Sequence, residues 1–476
     1  MSTARRALPN LIAAVLVGLA ILAWFGHAFL NYDTFYALVW GGDLAHGRTP
    51  QYDAAVAPTP HPLAILAGMP ASLFGDSGAS VMVALCLLAI GFLVVGIFRL
   101  GTELFAWPVG LLAAAIFVTR VPPLDFGIRG YVDLSAVSFV VWAAVVEARR
   151  PRRGWPVLVL LGLAGLLRPE AWLYAGAYWL WLFPARDWAC RVRLLVLAAA
   201  APVIWALSDL AIAGDALWSF RGTHDLAARF SRERGLRHVP SVLRKRLGII
   251  MRLPELAAAA VGLVAGFSLL RRRAALPAAV GALNGIAFLV LAVANLSLLG
   301  RYLFLATAML SVFAAVGVLG WTALPREHRW RSAWPAAGSV GLVALAVFFV
   351  AQQVDRLDRL RDQISAQERV QADLHDLVRS RSAQSALRHC GRLYVTNHWP
   401  VPELAYWTGR RPKQIVSAHD RRPGRGGIFI APATARAAKY AVLDPRDPSA
   451  PRTPPPGYRQ LTRNRSWVLY SSCSAA

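Results

Sequence analysis

The stretch from Leu8 to Tyr36, LPNLIAAVLVGLAILAWFGHAFLNYDTFY, joins a long apolar segment to an abrupt polar turn. Its apolar part, Leu8–Leu30, is long enough to cross the hydrocarbon core of a bilayer as one helix. It is also too long for the apolar region of a signal peptide, so we predict a retained first span. Asp33 follows at the membrane edge, where an unpaired acid is costly, and is therefore a candidate functional residue.

Long apolar runs recur along most of the remaining chain. Of its 476 residues 56% are hydrophobic and 16% are charged, a balance that is unusual for a soluble protein. We therefore predict a mainly α, polytopic membrane helix bundle. Eleven spans are predicted, at about 8–30, 78–98, 103–119, 131–147, 155–168, 171–183, 193–213, 254–270, 276–299, 301–323 and 334–353. The fifth and sixth are short and form a tight hairpin.

The basic residues predict the orientation of these spans. Five arginine clusters fall on one side of an eleven-span trace, which is therefore the cytoplasmic side. They are Arg5 and Arg6; Arg149, Arg150, Arg152 and Arg153; Arg186, Arg191 and Arg193; Arg271 to Arg273; and Arg326, Arg329 and Arg331. The expected location is a bacterial cytoplasmic (inner) membrane, with the N-terminus cytoplasmic and loops 31–77 and 214–253 outside. We assign the net charge of +25 mainly to this topology, not to nucleic-acid binding.

The composition changes after residue 353. We predict two units, a transmembrane bundle at 1–353 and a small extracytoplasmic α/β domain at 354–476. A charged helix is expected over Asp355–His389, followed by strands at 392–395, 427–430, 440–443 and 466–470. Cys390 and Cys473 flank these strands and could form a disulfide on an oxidising face of the membrane. Sequence supplies no test of their geometry, so the pairing stays open.

Several acids stand in the predicted outer loops. They are Asp33, Asp43, Asp53, Asp125 and Asp133. A carboxylate can take the proton of a hydroxyl group during group transfer, which is one use for such acids. The alternative is that they cap helices or pair with Arg48, Arg120 or Arg129. That alternative is favoured for each acid except Asp33.

Other polar residues interrupt the apolar pattern near the same side. Arg168 and Glu170 stand at the tip of the short hairpin, where Arg168 could bind a lipid phosphate or simply pair with Glu170. Arg301 opens the tenth span and could bind a phosphate or simply extend its side chain to the membrane interface. His61 lies in an extended Pro-rich segment and could be a substrate contact or structural. The segment 218–225, WSFRGTHD, mixes aromatic and polar residues and could contact a carbohydrate or lipid headgroup, or form part of the aromatic belt at the membrane interface.

Known nucleotide and metal motifs are absent from the sequence. There is no Walker A motif, Rossmann glycine motif, His-Glu-x-x-His or Cys-x-x-Cys, and the first outer loop has no Asp-x-Asp pair. We therefore expect neither a bound cofactor nor a metal.

Together these features resemble the GT-C superfamily of integral membrane glycosyltransferases. The superfamily includes protein O-mannosyltransferases, aminoarabinose transferases and the GPI and dolichol-pathway mannosyltransferases. The resemblance covers about residues 8–353 as topology, with Asp33 placed where the family keeps its first-loop catalytic acid. Leu167-Arg168-Pro169 resembles an Arg-Pro motif of several branches, and Arg301-Tyr302-Leu303 resembles an Arg-Tyr-Leu motif that opens a late span. One departure is Asp33-Thr34, where many members have Asp-Glu.

The resemblance implies transfer of a sugar from a polyprenyl-phosphate co-substrate to a glycan, lipid or protein acceptor, usually with inversion. Asp33 would be the general base. The candidate substrate- and donor-binding residues are Asp43, His61, Asp125, Arg129, Asp133, Arg168, Glu170 and Arg301. A catalytically silent scaffold that binds envelope glycan or a partner protein is the alternative. A transporter ranks last, because the sequence shows no internal symmetry.

Overall fold

A computed structural model describes residues 3–441 and 453–473 of the chain. Its helices are α1 (Thr3–Phe25), α2 (Tyr32–Ala45), α3 (Pro62–Ser72), α4 (Gly78–Leu104), α5 (Trp107–Val118), α6 (Val121–Ile128), α7 (Asp133–Arg149), α8 (Trp155–Gly165), α9 (Ala171–Leu182), α10 (Trp188–Ala213), α11 (Trp218–Arg229), α12 (Val239–Ile250), α13 (Leu253–Leu269), α14 (Arg271–Val293), α15 (Phe304–Leu319), α16 (Trp330–Arg379), α17 (Arg381–His389), α18 (Val401–Thr408) and α19 (Ala435–Ala441). Its strands are β1 (Arg392–Val395), β2 (Ile415–Ser417), β3 (Gly427–Pro432), β4 (Arg459–Arg463) and β5 (Trp467–Ser471). The predicted mainly α membrane bundle with a small C-terminal α/β domain is confirmed.

Several of these helices are long and apolar enough to cross a membrane. Within the described ranges six qualify, or up to eight if each of two bent pairs is one span. The bends are 67° between α5 and α6, and 104° between the segment Leu236–Ile250 and α13. Helices α8 and α9, with 11 and 12 residues, correspond to the expected short hairpin. The total of eleven spans stays a prediction.

Close helix crossings and one buried ion pair hold the bundle together. A Cβ atom on Gly262 of α13 would lie 1.8 Å from the Phe313 carbonyl oxygen of α15, so the backbones of these helices touch. Small residues permit such contacts between membrane helices. Arg120, just before α6, pairs with Glu255 of α13 at 2.8 Å, and both side chains are fully buried. Removal of either partner would leave a buried charge uncompensated.

Helix α16 carries the chain without a break from the bundle into the C-terminal domain. It has 50 residues, and the expected boundary at residue 354 falls inside it. The domain contains a five-stranded sheet of order β2-β1-β3-β5-β4. Strand β1 is parallel to both β2 and β3, whereas β5 is antiparallel to β3 and β4. A disulfide joins Cys390, before β1, to Cys473, after β5.

The predicted strands of this domain have mixed outcomes. Those at 392–395, 427–430 and 466–470 are confirmed as β1, β3 and β5, whereas β2 and β4 were not predicted. The predicted strand at 440–443 is wrong in its described part, because Tyr440 and Ala441 end helix α19. Residues 442 and 443 lie outside the described ranges. The residues just before Tyr440 are three alanines, an arginine and a lysine, all good helix formers. Their helix propensity extends α19 into the start of the predicted strand.

The C-terminal domain packs directly on the first loop after α1. Helices α2 and α3 share one hydrophobic core with α16, α18 and the central strands of the sheet. The Phe35 ring lies 5.8 Å from that of Trp407. Polar contacts join the same two surfaces, since Lys413 pairs with Asp53 and Arg411 donates to the Thr49 carbonyl oxygen. Helix α2 is therefore fixed between the bundle and the domain.

Candidate functional site

Asp33 lies in the first turn of α2, and the residue before that helix fixes its position. The side chain of Asn31 accepts hydrogen bonds from the backbone N–H groups of Asp33 at 2.7 Å and Thr34 at 3.2 Å, a regular helix N-cap. Asn31 also donates to the Arg129 carbonyl oxygen, and the Thr34 hydroxyl donates to that of Gly130 at 2.6 Å. The start of α2 is thus tied to the turn before α7, which brings Asp33 close to Asp133.

Five charged side chains meet at this point, and we call them the charge cluster. They are Asp33, Asp133, Arg168, Glu170 and Arg301. Arg301 contacts Asp33 at 3.3 Å and Asp133 at 3.7 Å. Arg168 contacts Asp133 at 3.1 Å and Glu170 at 2.6 Å. The local Arg168–Glu170 pair and an interhelical pair, weighed as alternatives from the sequence, are therefore both present.

Aromatic rings cover the two arginines of the charge cluster. The Arg168 guanidinium lies 4.5 Å from the ring centre of Tyr302. The guanidinium of Arg301 lies 5.9 Å from the Tyr131 ring and 5.8 Å from the Tyr302 ring. Rings at this distance attract cations and exclude water from them. The orientation of both arginines is therefore determined by their carboxylate partners together with these rings.

The charge cluster opens into a cavity of about 700 Å³, which we call the site cavity. Its polar lining includes Asp33, His61, Arg168, Glu170, Asp209, Ser219, Arg232, Arg246, Arg301 and His398. Its apolar and aromatic lining is larger and includes Tyr32, Phe126, Trp172, Trp205, Leu217, Phe220, Leu226, Phe230, Ile249, Ile250, Leu291 and Trp399. Concave, mainly apolar sites with a few converging polar groups are typical of ligand binding.

His61 immediately precedes α3 and faces the site cavity. Its side chain is 8% exposed, and its ring centre lies 5.9 Å from that of Trp205. Burial and, to a smaller extent, the nearby charge of Arg168 lower the pKa of His61 to about 4. Its Nδ1 atom is buried and has no hydrogen-bond partner among the described residues. At neutral pH this ring is therefore an uncharged group that can exchange a hydrogen bond with a substrate.

Three candidate residues lie elsewhere. Asp43, at the other end of α2, is buried and pairs with Arg48 at 3.0 Å, and its burial raises its pKa. Asp125 pairs with Arg129 at 2.5 Å within one helical turn, and Arg129 also contacts Gln367 of α16. None of Asp43, Asp125 and Arg129 lines the site cavity. Their contacts fix the surrounding helices.

Several lining residues were not singled out from the sequence. Asp209 of α10 is buried and accepts hydrogen bonds from the Ser219 backbone and hydroxyl, each at 2.9 Å, and Trp205 donates to the same hydroxyl. Ser219 belongs to the segment 218–225 that sequence reasoning did notice, and that segment forms much of α11. The overlooked signal was an acid near the end of an apolar span, since acids within spans face cavities or partners.

The C-terminal domain also contributes to the cavity wall. The turn after β1 places His398 and Trp399 there, with their rings stacked at 5.8 Å. Tyr32 contacts both rings at 5.4 Å, and Phe230 of the turn after α11 contacts His398 at 5.6 Å. Three separate parts of the chain therefore form one aromatic wall beside Asp33.

These groups allow one class of chemistry more readily than others. A carboxylate that opens into a largely apolar cavity can remove a proton from a hydroxyl group bound there. Nearby guanidinium groups can stabilise negative charge that develops on a departing group. In residues 3–441 and 453–473 no group of three or more His, Cys, Asp or Glu side chains is placed to hold a metal ion. The arrangement suits transfer of a group to a hydroxyl or related nucleophile.

The structure is similar to crystal structures of an oligosaccharyltransferase from Archaeoglobus fulgidus. For its apo form the TM-score is 0.47 and the identity 12%, over 86% of this chain and 64% of the archaeal chain. For the form tethered to an acceptor peptide with the NVT sequon the TM-score is 0.46 and the identity 13%. That match covers 86% of this chain and 63% of the archaeal chain. No family model matches the sequence, and no curated protein matches it. This chain spans about 64% of the length of the archaeal enzyme.

Proposed function

We propose that this chain is a membrane glycosyltransferase. It transfers a sugar from a polyprenyl-phosphate donor to a cell-envelope acceptor on the extracytoplasmic face of the cytoplasmic membrane. The observation that carries the proposal is the position of Asp33, whose carboxylate lines a mainly apolar cavity beside two oriented arginines. The apolar wall suits an isoprenoid chain, and the arginines that line the cavity suit its phosphate.

In the proposed reaction Asp33 acts as the general base. It takes the proton of the acceptor hydroxyl while the acceptor oxygen forms a bond to the anomeric carbon of the sugar. The bond from that carbon to the donor phosphate oxygen breaks, and its electron pair leaves with the polyprenyl phosphate. Attack from the side opposite to the phosphate inverts the anomeric carbon. A positioned base of this kind contributes roughly 10²–10⁴-fold to the rate.

The other charged residues hold Asp33 in place. Arg301 bridges Asp33 and Asp133, and Arg168 binds Asp133 from the opposite side. Asp133 is 4% exposed and is therefore the buried anchor of both arginines. His61 faces the same space as an uncharged ring and suits a contact to a sugar hydroxyl. The rings of His398 and Trp399 suit the acceptor, because they reach the cavity from the C-terminal domain.

The test is transfer of radiolabelled sugar in membranes from a panel of polyprenyl-phosphate sugars. Cells would express the wild type, Asp33→Asn, Asp53→Asn or no protein. Asp53→Asn is the matched control, because Asp53 lies in the same loop and does not line the cavity, and its solvent-exposed pair with Lys413 contributes little to stability. We expect Asp33→Asn to insert normally and to lose about 100-fold or more of the transfer rate. Asp53→Asn should transfer label at close to the wild-type rate.

Either of two results would contradict this proposal. Wild-type transfer by Asp33→Asn would show that Asp33 is not the base. Absence of protein-dependent transfer across the panel would favour the silent scaffold that binds envelope glycan or a partner protein.

A further inference from the structure

We propose that the phosphate of the donor is held by Arg246 and Arg232, at the side of the site cavity formed by segment 214–253. Arg168 and Arg301, the arginines first expected to bind it, serve to hold the carboxylates. This inference rests on the proposed function, because it concerns the donor of the same site. It is carried by the charge balance of the cavity and by the placement of Arg246.

Both arginines of the charge cluster already have carboxylate partners without a ligand. Its two guanidinium groups, of Arg168 and Arg301, are in contact with three carboxylates. When all five groups are ionised, the cluster carries net negative charge. A phosphate brought next to it would meet Asp33, Asp133 and Glu170 at short range in a poorly solvated space, where repulsion is strong. The cluster is therefore a poor primary site for an anion.

Arg246 of α12 is placed differently. A Cβ atom on Gly300 would lie only 3.3 Å from its Cδ atom, so its stem lies directly over the residue before Arg301. Its one ion pair among the described residues is with Glu233 at 3.8 Å, near the limit for such a contact. Its Nε–H is buried and has no hydrogen-bond acceptor in the described part of the chain; the Nε–H of Arg301 shares this property but lies beside the carboxylate of Asp133. A buried donor without an acceptor is destabilising, and a ligand oxygen would supply the missing acceptor.

The surroundings of Arg246 suit a lipid phosphate in particular. Ile249 and Ile250, on the following turn of α12, line the same cavity and continue its apolar wall. A phosphate at the guanidinium would therefore have room for its isoprenoid chain along these side chains. Arginine binds phosphate oxygens through paired, charge-assisted hydrogen bonds, which makes it well suited to this role.

Arg232 extends the positive surface away from the site cavity. Its guanidinium lies 5.0 Å from the Phe230 ring and lines both the site cavity and a neighbouring open hollow of about 760 Å³. That hollow is also lined by Arg234, Arg237 and His238, with Glu233 as its acid. Basic side chains thus outnumber acids from the open hollow, through Arg232, to the cavity that Arg246 lines, which favours approach of an anionic headgroup.

Segment 214–253 contains more basic residues than its expected topology accounts for. Segment 214–253 is expected outside the cytoplasm, where the positive-inside rule predicts few basic residues. Its basic side chains are Arg221, Arg229, Arg232, Arg234, Arg237, Arg244, Lys245, Arg246 and Arg252, and its acids are Asp215, Asp225 and Glu233. An anionic ligand on the extracytoplasmic side gives this excess of positive charge a use.

The experiment measures binding without turnover. The full-length protein in detergent micelles is titrated with radiolabelled undecaprenyl phosphate, and neutral undecaprenol measures the contribution of the chain alone. The variants are Arg246→Gln, Arg232→Gln and Arg301→Gln. Arg244→Gln is the matched control, because Arg244 is exposed on the same helix and does not line either cavity. Arg246→Lys keeps the charge but loses the paired hydrogen bonds.

We expect Arg246→Gln to weaken binding of the lipid phosphate about tenfold or more, or about 1.4 kcal/mol. Arg232→Gln should weaken it by a smaller factor, and Arg246→Lys should recover part of the loss. Arg244→Gln should bind within twofold of the wild type. Inorganic phosphate and phosphatidylglycerol, added as competitors, should displace the lipid phosphate poorly, because neither fills both the charged and the isoprenoid parts of the cavity.

Three results would overturn the inference. Wild-type affinity in Arg246→Gln and Arg232→Gln, together with loss in Arg301→Gln, would return the phosphate to the charge cluster. Equal losses in Arg246→Gln and Arg244→Gln, or ready competition by phosphatidylglycerol, would indicate a general headgroup contact. Ready displacement by inorganic phosphate would indicate a site for the free anion. None of these touches the general base, which is tested separately by transfer in Asp33→Asn.

Discussion

At the scale of single residues, Glu403 shows how one partly buried acid can link three parts of the chain. It lies in the first turn of α18, and its Oε1 accepts a hydrogen bond from Gln371 of α16 at 2.6 Å. The same Gln371 nitrogen donates to the Leu30 carbonyl oxygen at 3.3 Å, just before the turn that carries Asp33. Burial raises the pKa of Glu403 to about 7, and the hydrogen bond from Gln371 lowers it only in part.

We predict that Glu403 makes the stability of the protein depend on pH. Because its pKa is higher in the folded state than in the unfolded state, the folded state binds more protons between about pH 4.5 and pH 7. The contribution of Glu403 is therefore fully present below that range and is lost as the pH rises through about 7. Glu403→Gln should remove this pH dependence. Its free energy of unfolding, relative to that of the wild type, should therefore be higher at pH 8 than at pH 5 by about 2 kcal/mol.

The measurement is the melting temperature of the purified protein in detergent at pH 5, 6, 7 and 8. Subtracting the Glu403→Gln curve from the wild-type curve cancels the titration of other groups. A difference that stays constant with pH would contradict the assignment.

Sequence reasoning identified much of the site at the residue scale, though it could not give the pairings. Asp33, His61, Arg168, Glu170 and Arg301 all line one cavity. Their contacts depend on distances between residues far apart in the chain, which spacing alone does not contain. Local spacing was informative for the acids that lie elsewhere. Asp125 has an arginine four residues later and Asp43 one five residues later, and each acid pairs with that neighbour.

At the scale of elements, the crossing of α2 and α3 determines where Asp33 lies. A Cβ atom on Gly68 of α3 would be 2.5 Å from the Ala37 carbonyl oxygen of α2. The facing residue, Gly41, is equally close, since its Cβ atom would be 2.5 Å from the backbone of Gly68. The two helices therefore touch through backbone atoms, and neither glycine can accept a side chain without movement.

We predict that Gly68→Val separates α3 from α2. Overpacking of this kind costs about 1–3 kcal/mol, and the displaced α2 would carry Asp33 away from Arg301. The melting temperature in detergent should fall by several degrees, and sugar transfer should fall with it. The matched control is Gly285→Val in α14, where an added Cβ atom meets nothing within 4 Å. Equal melting temperatures for the two variants would show that the crossing is not tight.

The elements themselves were predictable where their pattern was strong. Apolar runs indicated the membrane helices, and short β-rich runs indicated β1, β3 and β5. Strand β4 was missed because its residues, RQLTR, are mostly polar and exposed on the edge of the sheet. Propensity also cannot show that α16 continues from an apolar span into a charged helix, since each half alone looks complete. That continuity connects the domain to the bundle through a single helix.

At the scale of the whole molecule, the C-terminal domain completes a cavity whose other walls belong to the bundle. His398 and Trp399 follow β1, which lies between β2 and β3 in the parallel part of the sheet. Ligands commonly bind beyond the carboxyl ends of parallel strands, and these two residues occupy such a position. Sequence reasoning did not assign them a role, because residue 399 comes near residue 32 only after the domain packs on the first loop.

The last prediction concerns Trp399, whose ring lies 5.4 Å from Tyr32, the residue next to the proposed base. If the acceptor contacts this aromatic wall, Trp399→Ala should raise the KM for the acceptor roughly tenfold, equivalent to about 1.4 kcal/mol. Binding of undecaprenyl phosphate should stay within twofold, because Arg246 belongs to a different segment. Trp399→Phe keeps an aromatic face and should recover most of the affinity.

The control is Trp188→Ala, because Trp188 is 71% exposed at the start of α10 and does not line the site cavity. Steady-state transfer with varied acceptor gives KM and kcat separately. A fall in kcat at unchanged KM would indicate that Trp399 supports Tyr32 and Asp33 without touching the acceptor. Loss of lipid-phosphate binding in Trp399→Ala would instead place the donor against the C-terminal domain. A rise confined to the acceptor KM would assign the acceptor to the aromatic wall at Trp399 and leave the donor phosphate at Arg246, with both open to Asp33.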